Sequence, residues 1–282
     1  MKILLDIVAP AKLNLFLHIV GRRPDGYHLL ESVFTLIDWC DTLHFELRTN
    51  GQISREDLTM PLPPDDLIVR AARALQCFAG VRHGVHISVE KRIPTQAGMG
   101  GGSSDAASTL LALNRLWELD LKAWQLTSIG LSLGADVPFF LGGQSAWVGG
   151  IGDQITPVTV PAAQFIVAKP ADGLDTRQIF SHPSLQRNTP SATLRDFAQD
   201  PFGFGHNDLQ AVAMQMCPGV SQAVDWLHTL GLVGKMTGSG SAVFARTLHN
   251  MNLNCVPATI QVKVCNSMSI HPLRGWADGF FG

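Results

Sequence analysis

Leu13, Leu15, Leu17 and Ile19 alternate with Lys12, Asn14, Phe16 and His18. A period of two predicts a strand over residues 3–20. One face is apolar, and on the other a lysine and an asparagine are neighbours. The Pro-Asp-Gly inside GRRPDGYH (21–28) predicts a turn. Residues 29–38 and 42–48 read as two more strands joined through Cys40 and Asp41. The spacing then changes. Leu67, Ile68, Ala71, Ala74, Leu75 and Phe78 predict a helix over 65–78, and alternation returns over 85–91. A glycine-rich loop follows, then helices over 103–118 and 121–133, the second stopped by Gly134. Past a glycine-rich stretch at 142–152, strands are predicted at 165–168, 242–245 and 260–264, and helices at 208–216 and 220–230. Interleaved helices and strands predict an α+β fold. The stretch at 142–152 is the natural place to divide the chain into 1–152 and 153–282.

Composition narrows the function classes. With 282 residues, 46% of them apolar, the chain has ample material for a core and is not a disordered segment. Lys and Arg number 21 against 23 Asp and Glu, so the basic surplus that broad nucleic-acid or acidic-membrane binding needs is missing. The five cysteines form no CxxC pair. Such a scattered, odd set reads as reduced and intracellular. The N-terminal MKILLDIVAPAK lacks a signal-peptide pattern, and no run approaches the ~18 apolar residues of a membrane span. A soluble cytoplasmic protein is expected.

The chemistry concentrates between Gly98 and Ser104, where Gly98, Gly100, Gly101 and Gly102 surround Met99 and precede Ser103 and Ser104. Strand, glycine loop and helix start together make an anion site. First-turn amides lack intrahelical partners, the helix dipole is positive there, and glycine lets the main chain approach a ligand. Two common templates fail. No lysine follows the glycines as GxxxxGK[ST] requires, and Ser103 stands where GxGxxG needs its last glycine. The bland alternative is a flexible turn that only caps a helix. Four glycines and two serines placed directly before a helix favour a phosphate loop of another kind.

PTQAGMGGGSSDAA (94–107) resembles the phosphate loop of the GHMP kinases, the family of galacto-, homoserine, mevalonate and phosphomevalonate kinases. PAKLNLFLHIVGRRPDGYH (10–28) and KMTGSGSAVFA (235–245) resemble that family's first and third motifs, in the same order. LGADVPFF (133–140) adds to the likeness, which thins to NTP and HNDL towards the C-terminus. The resemblance implies a two-domain GHMP-kinase-like fold. Residues 1–152 would form an N-terminal nucleotide-binding domain, and 153–282 a C-terminal ferredoxin-like α/β sandwich on the substrate side. It implies ATP with Mg2+, the metal held mainly through phosphates. Taken with the other motifs, DGYH extends the resemblance to members whose acceptor is a cytidine diphosphate-linked methylerythritol, so the resemblance implies that acceptor and small-molecule partners. Homoserine, mevalonate or a sugar, or a relative that binds nucleotide without catalysis, are the rivals.

Site residues follow by the same resemblance. Lys91, Pro94, Gly98, Met99, Gly100, Gly101, Gly102, Ser103 and Ser104 would hold ATP. Lys12 and Asp136 would be the catalytic pair, with Asp136 taking or orienting the acceptor's hydroxyl proton. Asn14 would meet the methylerythritol end, and Tyr27, His28, Thr176 and Phe180 the cytidine end. On local grounds alone each has a plainer reading. Lys12 is an ordinary strand lysine, Asp136 caps the helix that Pro138 begins, Lys91 is a surface lysine at a strand end, and TGSG is a hairpin turn. Asp105, in the first turn of the loop's helix, complements the dipole and is expected to turn away from a phosphate.

Overall fold

A computed structural model describes residues 2–248, 251, 253 and 255–279. In chain order its N-terminal elements are β1 (Ile3–Arg22), β2 (His28–Arg48), β3 (Ile53–Asp57), α1 (Leu67–Ala79), β4 (Gly84–Glu90), α2 (Gly101–Leu116), α3 (Ala123–Leu133), α4 (Val137–Gly142), β5 (Ala146–Gly149) and β6 (Gln154–Pro157). Then come β7 (Gln164–Pro170), α5 (Thr176–Ser181), α6 (Leu194–Gln199), α7 (Gln210–Met216), α8 (Pro218–Thr229), β8 (Lys235–Met236), β9 (Val243–Thr247) and β10 (Ile260–Met268). Among the described residues no helix is long and apolar enough to cross a membrane.

β2 organises the sheet. It pairs with β1 along most of its length. It also pairs with β5 at Ser32–Phe34, with β10 at Leu36 and Ile37, and with β4 at Thr42–Arg48. The chain therefore does not break at Cys40 and Asp41, where two strands were expected. The Asp41 carboxylate accepts from the Arg92 and Ile93 amides and from Lys91, which satisfies a buried charge inside a continuous strand. The glycine-rich stretch at 142–152 is also not a free linker, because it holds β5, and the β5–β6 hairpin straddles Gly152.

α1 to α4 cover one face of the N-terminal sheet. Ile68, Ala72 and Leu75 of α1 meet Leu110 and Leu113 of α2 over Leu36, Leu43, Phe45 and Ile87. Farther along the chain, β10, β7, β9 and β8 pair antiparallel in that order. The alternation of β7 decides its packing. Ile166 and Ala168 bury against Val212, Ala223 and Leu227 of α7 and α8. Phe165 and Val167 bury on the other side against Ala11, Leu13 and Trp39.

That second contact corrects the reading of β1. Its supposed polar face is buried too, with Lys12 at 3% and Asn14 at 1% exposure. A register shift against β2 between Asn14 and Leu17 then re-aims the strand. Leu13, Leu15 and Phe16 serve one core, and Leu17 and Ile19 the next.

His271 ties the C-terminal segment to the end of α4. Its amide donates to the Gly143 carbonyl at 2.8 Å, and its Nδ1 accepts from the Leu273 amide at 3.0 Å. Burial pushes the imidazole's pKa down to about 4 from 6.5. A depressed histidine stabilises the fold fully above the unfolded value, and that contribution is lost as pH falls towards the folded one. Unfolding free energy should therefore drop by roughly 3 kcal/mol between these limits through this group alone. Urea melts at pH 7 and pH 4.5 on the wild type and His271→Asn check this, and the variant's acid slope should be shallower.

Candidate active site

α2 begins at Gly101 with Gly100 as a left-handed N-cap that offers no side-chain bond, so its first-turn amides have no cap to satisfy them. The carbonyls just upstream are already taken. Met99 O accepts from the Lys12 amide (3.0 Å), Gln96 O from Ser241 (3.0 Å) and Ala97 O from Ala242 (3.2 Å). Gly98 O accepts from Thr237 Oγ1 at 3.3 Å. The first and third motifs thus hold the acceptors of the loop from behind and leave it rich in donors, the polarity an anion needs. Two glycines are required by contact. A Cβ at Gly98 would lie 2.1 Å from Thr237 O, and one at Gly100 would lie 2.9 Å from the Phe140 ring. Both have positive φ, at 71° and 70°.

β1 delivers Lys12 beside this loop. Its Nζ lies 3.8 Å from an Asp136 carboxylate oxygen, 4.5 Å above the Phe34 ring, and donates to Asn14 Oδ1. Burial lowers the ammonium's pKa, and the neighbouring Asp136 opposes that shift. Asn14 is fixed in turn: its Nδ2 donates to Ser32 Oγ at 2.9 Å and its amide to Thr237 Oγ1 at 3.0 Å. Asp136 sits at the N-cap of α4 without making a side-chain cap bond. Its side chain is 33% exposed, so it is not spent on the helix. Neither plainer reading fits: Lys12 is not a surface lysine, and Asp136 does not cap.

Lys91 is not a surface residue either. It is 9% exposed, and its Nζ donates to both Asp41 and Asp105 beneath the loop. Burial would lower its pKa, but the two carboxylates outweigh burial and raise it. Asp105 is shifted upward, first by burial, with Lys91 pulling the other way. Asp105, expected to complement the helix dipole and turn away from a phosphate, instead accepts from Lys91 and lines the cleft. Ser104 departs from expectation. It is fully buried one turn into α2, its hydroxyl has no hydrogen-bond partner, and it does not line the cleft. Ser103, one residue earlier, does line it.

The other end of the cleft has Tyr27, 61% exposed on its turn, beside His28. The His28 ring lies 5.1 Å from that of Phe180, tilted by 38°. Thr176 Oγ1, at the start of α5, is 2.7 Å from Ser239 Oγ of the third motif. One cleft of about 1230 Å3 brings together Lys12, Asn14, Tyr27, His28, Lys91, Pro94, residues 98–103, Asp136, Thr176 and Phe180. Sequence reasoning missed Asp41, Ser32 and the Thr237 hydroxyl. It also gave no role to Asn207 of HNDL, whose Nδ2 donates to the Met236 and Gly238 carbonyls at 2.7 and 2.8 Å and braces the TGSG turn. That HNDL stretch was the only available signal for it.

Comparison with known proteins agrees with this geometry. The family model described as GHMP kinases N terminal domain matches residues 66–144, and the one described as GHMP kinases C terminal matches 188–253. A 4-diphosphocytidyl-2-C-methyl-D-erythritol kinase of Albidiferax ferrireducens is 64% identical over 98% of this chain and 96% of its own length. One from Acidovorax sp. (strain JS42) is 62% identical over 99% and 100%. The crystal structure of a 4-(cytidine 5'-diphospho)-2C-methyl-D-erythritol kinase superposes with TM-score 0.80 at 30% identity, covering 92% of this chain and 98% of that one. A mevalonate kinase, at 14% identity and TM-score 0.68 over 95% and 100%, shares the fold alone. The chain belongs to the GHMP kinase family, in its branch of 4-diphosphocytidyl-2-C-methyl-D-erythritol kinases.

Proposed function

We propose that the chain transfers the γ-phosphoryl of ATP to the 2-hydroxyl of 4-diphosphocytidyl-2-C-methyl-D-erythritol, a step in non-mevalonate isoprenoid precursor synthesis. The acceptor oxygen bonds to the γ-phosphorus as the β,γ-bridging P–O bond breaks, and ADP leaves. The observation that carries the reading is the pairing of Lys12 with an uncommitted Asp136 at 3.8 Å, in the same cleft as a donor-rich loop. In this reading the amides of 98–103 hold the triphosphate and Lys12 offsets charge on the transferring group. Asp136 takes or orients the hydroxyl proton. Tyr27 and Phe180 supply stacking surfaces for the cytosine, and His28 a polar contact. The Asn14 amide is bound to Lys12 and Ser32, so it acts on the methylerythritol end mainly by holding Lys12 in place.

Residues 1–152 supply the loop and the catalytic pair, and residues 153–282 supply Thr176 and Phe180. Magnesium would arrive on the triphosphate. In this reading the cation is coordinated chiefly by phosphate oxygens and water. The five free cysteines fit a cytoplasmic setting.

A coupled ADP-release assay with the cytidyl acceptor, mevalonate and homoserine as rival substrates tests the reading. Turnover should occur with the cytidyl acceptor and be at least ~100-fold slower with the others, because a pocket built for a large base leaves small acceptors unanchored. Turnover of mevalonate alone would replace the acceptor.

A further inference from the structure

Arg187 lies outside the cleft lining and outside every motif quoted above. It follows α5, and its guanidinium reaches four partners. Nε donates to His28 Nε2 at 3.1 Å, and Nη1 to the Leu185 carbonyl at 2.9 Å. Nη2 donates to the carbonyls of Phe180 and His182 at 3.2 and 2.9 Å. One rigid fork therefore joins the imidazole that opens β2 to the end of α5, which carries the Phe180 ring.

The chemistry of that contact fixes a proton. A guanidinium has donors and no acceptor, so the His28 nitrogen facing it must present its lone pair. The ring proton then belongs on Nδ1, which has no protein hydrogen-bond partner among the described residues. Burial lowers the pKa of His28, and the charges of Arg187 and of Arg22 at the end of β1 lower it further. The ring is thus held neutral, with one fixed N–H donor on a residue that lines the cleft.

We propose that Arg187 is a positioning residue that selects the acceptor's base without touching it. It locks His28 as an Nδ1–H donor and holds Phe180 against it. A fixed donor there suits a pyrimidine with a ring-nitrogen lone pair, such as cytosine, and meets an N–H in the uracil counterpart. This rests on the proposed use of the pocket for the cytidine end.

The test pairs tautomer with kinetics. In unliganded wild type, imidazole 15N shifts should report His28 protonated at Nδ1. In Arg187→Met they should move towards the Nε2–H form, with an upward shift in its titration. For the cytidyl acceptor, KM should rise roughly tenfold in this variant, with KM for ATP and kcat changed less than threefold. Preference for the cytidyl over the uridyl analogue should shrink. Arg187→Lys, which can still donate to His28, should keep the Nδ1–H form and recover part of the preference. An unchanged tautomer in Arg187→Met, or a KM loss without a tautomer change, overturns the inference alone. If the wild-type His28 signals stay still when a cytidyl acceptor that is turned over is added, the base does not occupy this pocket, and the underlying reading fails with it.

Discussion

Asp136→Asn should lower kcat by about 10²–10⁴-fold, leaving both KM values within a few-fold of wild type. The substitution is nearly isosteric, and the carboxylate makes no cap bond to α4, so little structure depends on its charge. What changes is the group beside Lys12 Nζ, 3.8 Å away. An amide cannot take a proton and no longer offsets the buried ammonium. Lys12→Met should cost about 10²–10³-fold through lost charge stabilisation. It also leaves Asn14 Oδ1 without its ammonium donor, so a KM effect on the acceptor should accompany it. Because the two side chains act as a unit, the double variant should be little worse than the worse single one. Single-turnover ADP release under saturating substrates measures the chemical step directly. Asp136→Asn retaining more than a tenth of the wild-type rate would remove it from the catalytic pair.

The distance between sequence and structure is instructive around the same residues. The period-two pattern of β1 was legible, and so was the loop ahead of α2. The surroundings of Lys12 were not, because the pattern gives sides of a strand and not what covers them. Here α2 and its neighbours cover one side and the β7 sheet the other, so a lysine written like a surface residue is buried at 3% exposure. Asp41 shows the same limit. An aspartate between two apolar runs reads as a turn, yet its partners Lys91, Arg92 and Ile93 lie about fifty residues away and keep the strand continuous. α5 escaped notice because six residues with one buried apolar side chain, Ile179, carry too little periodicity. Ser104 was grouped with the loop because it adjoins Ser103. One further residue along a helix turns a side chain by about 100°, from the cleft into the core. Arg187 carried no pattern at all, since its importance comes from the four acceptors that converge on it.

Gly98→Ala is the second large expected effect, and it acts through backbone alone. A Cβ there would lie 2.1 Å from Thr237 O and 2.8 Å from Gly240 N. Neither is the end of a flexible side chain, so the loop or the TGSG turn must move. The positive φ of 71° adds about 1–2 kcal/mol of strain for any residue with a Cβ. Displacing the loop breaks the Thr237 Oγ1 contact to Gly98 O and shifts the donors meant for the triphosphate. A misplacement near 1 Å is enough to cost about 100-fold in rate, so kcat/KM for ATP should fall by at least that much. Gly231→Ala separates strain from collision. It has a φ of 75° and nothing within 4 Å of its added Cβ, so it should lower the melting temperature by a few degrees and leave ATP kinetics unchanged. If Gly98→Ala behaves like Gly231→Ala, the third motif does not brace the phosphate loop, and the donor-rich cradle built on that contact has to be abandoned.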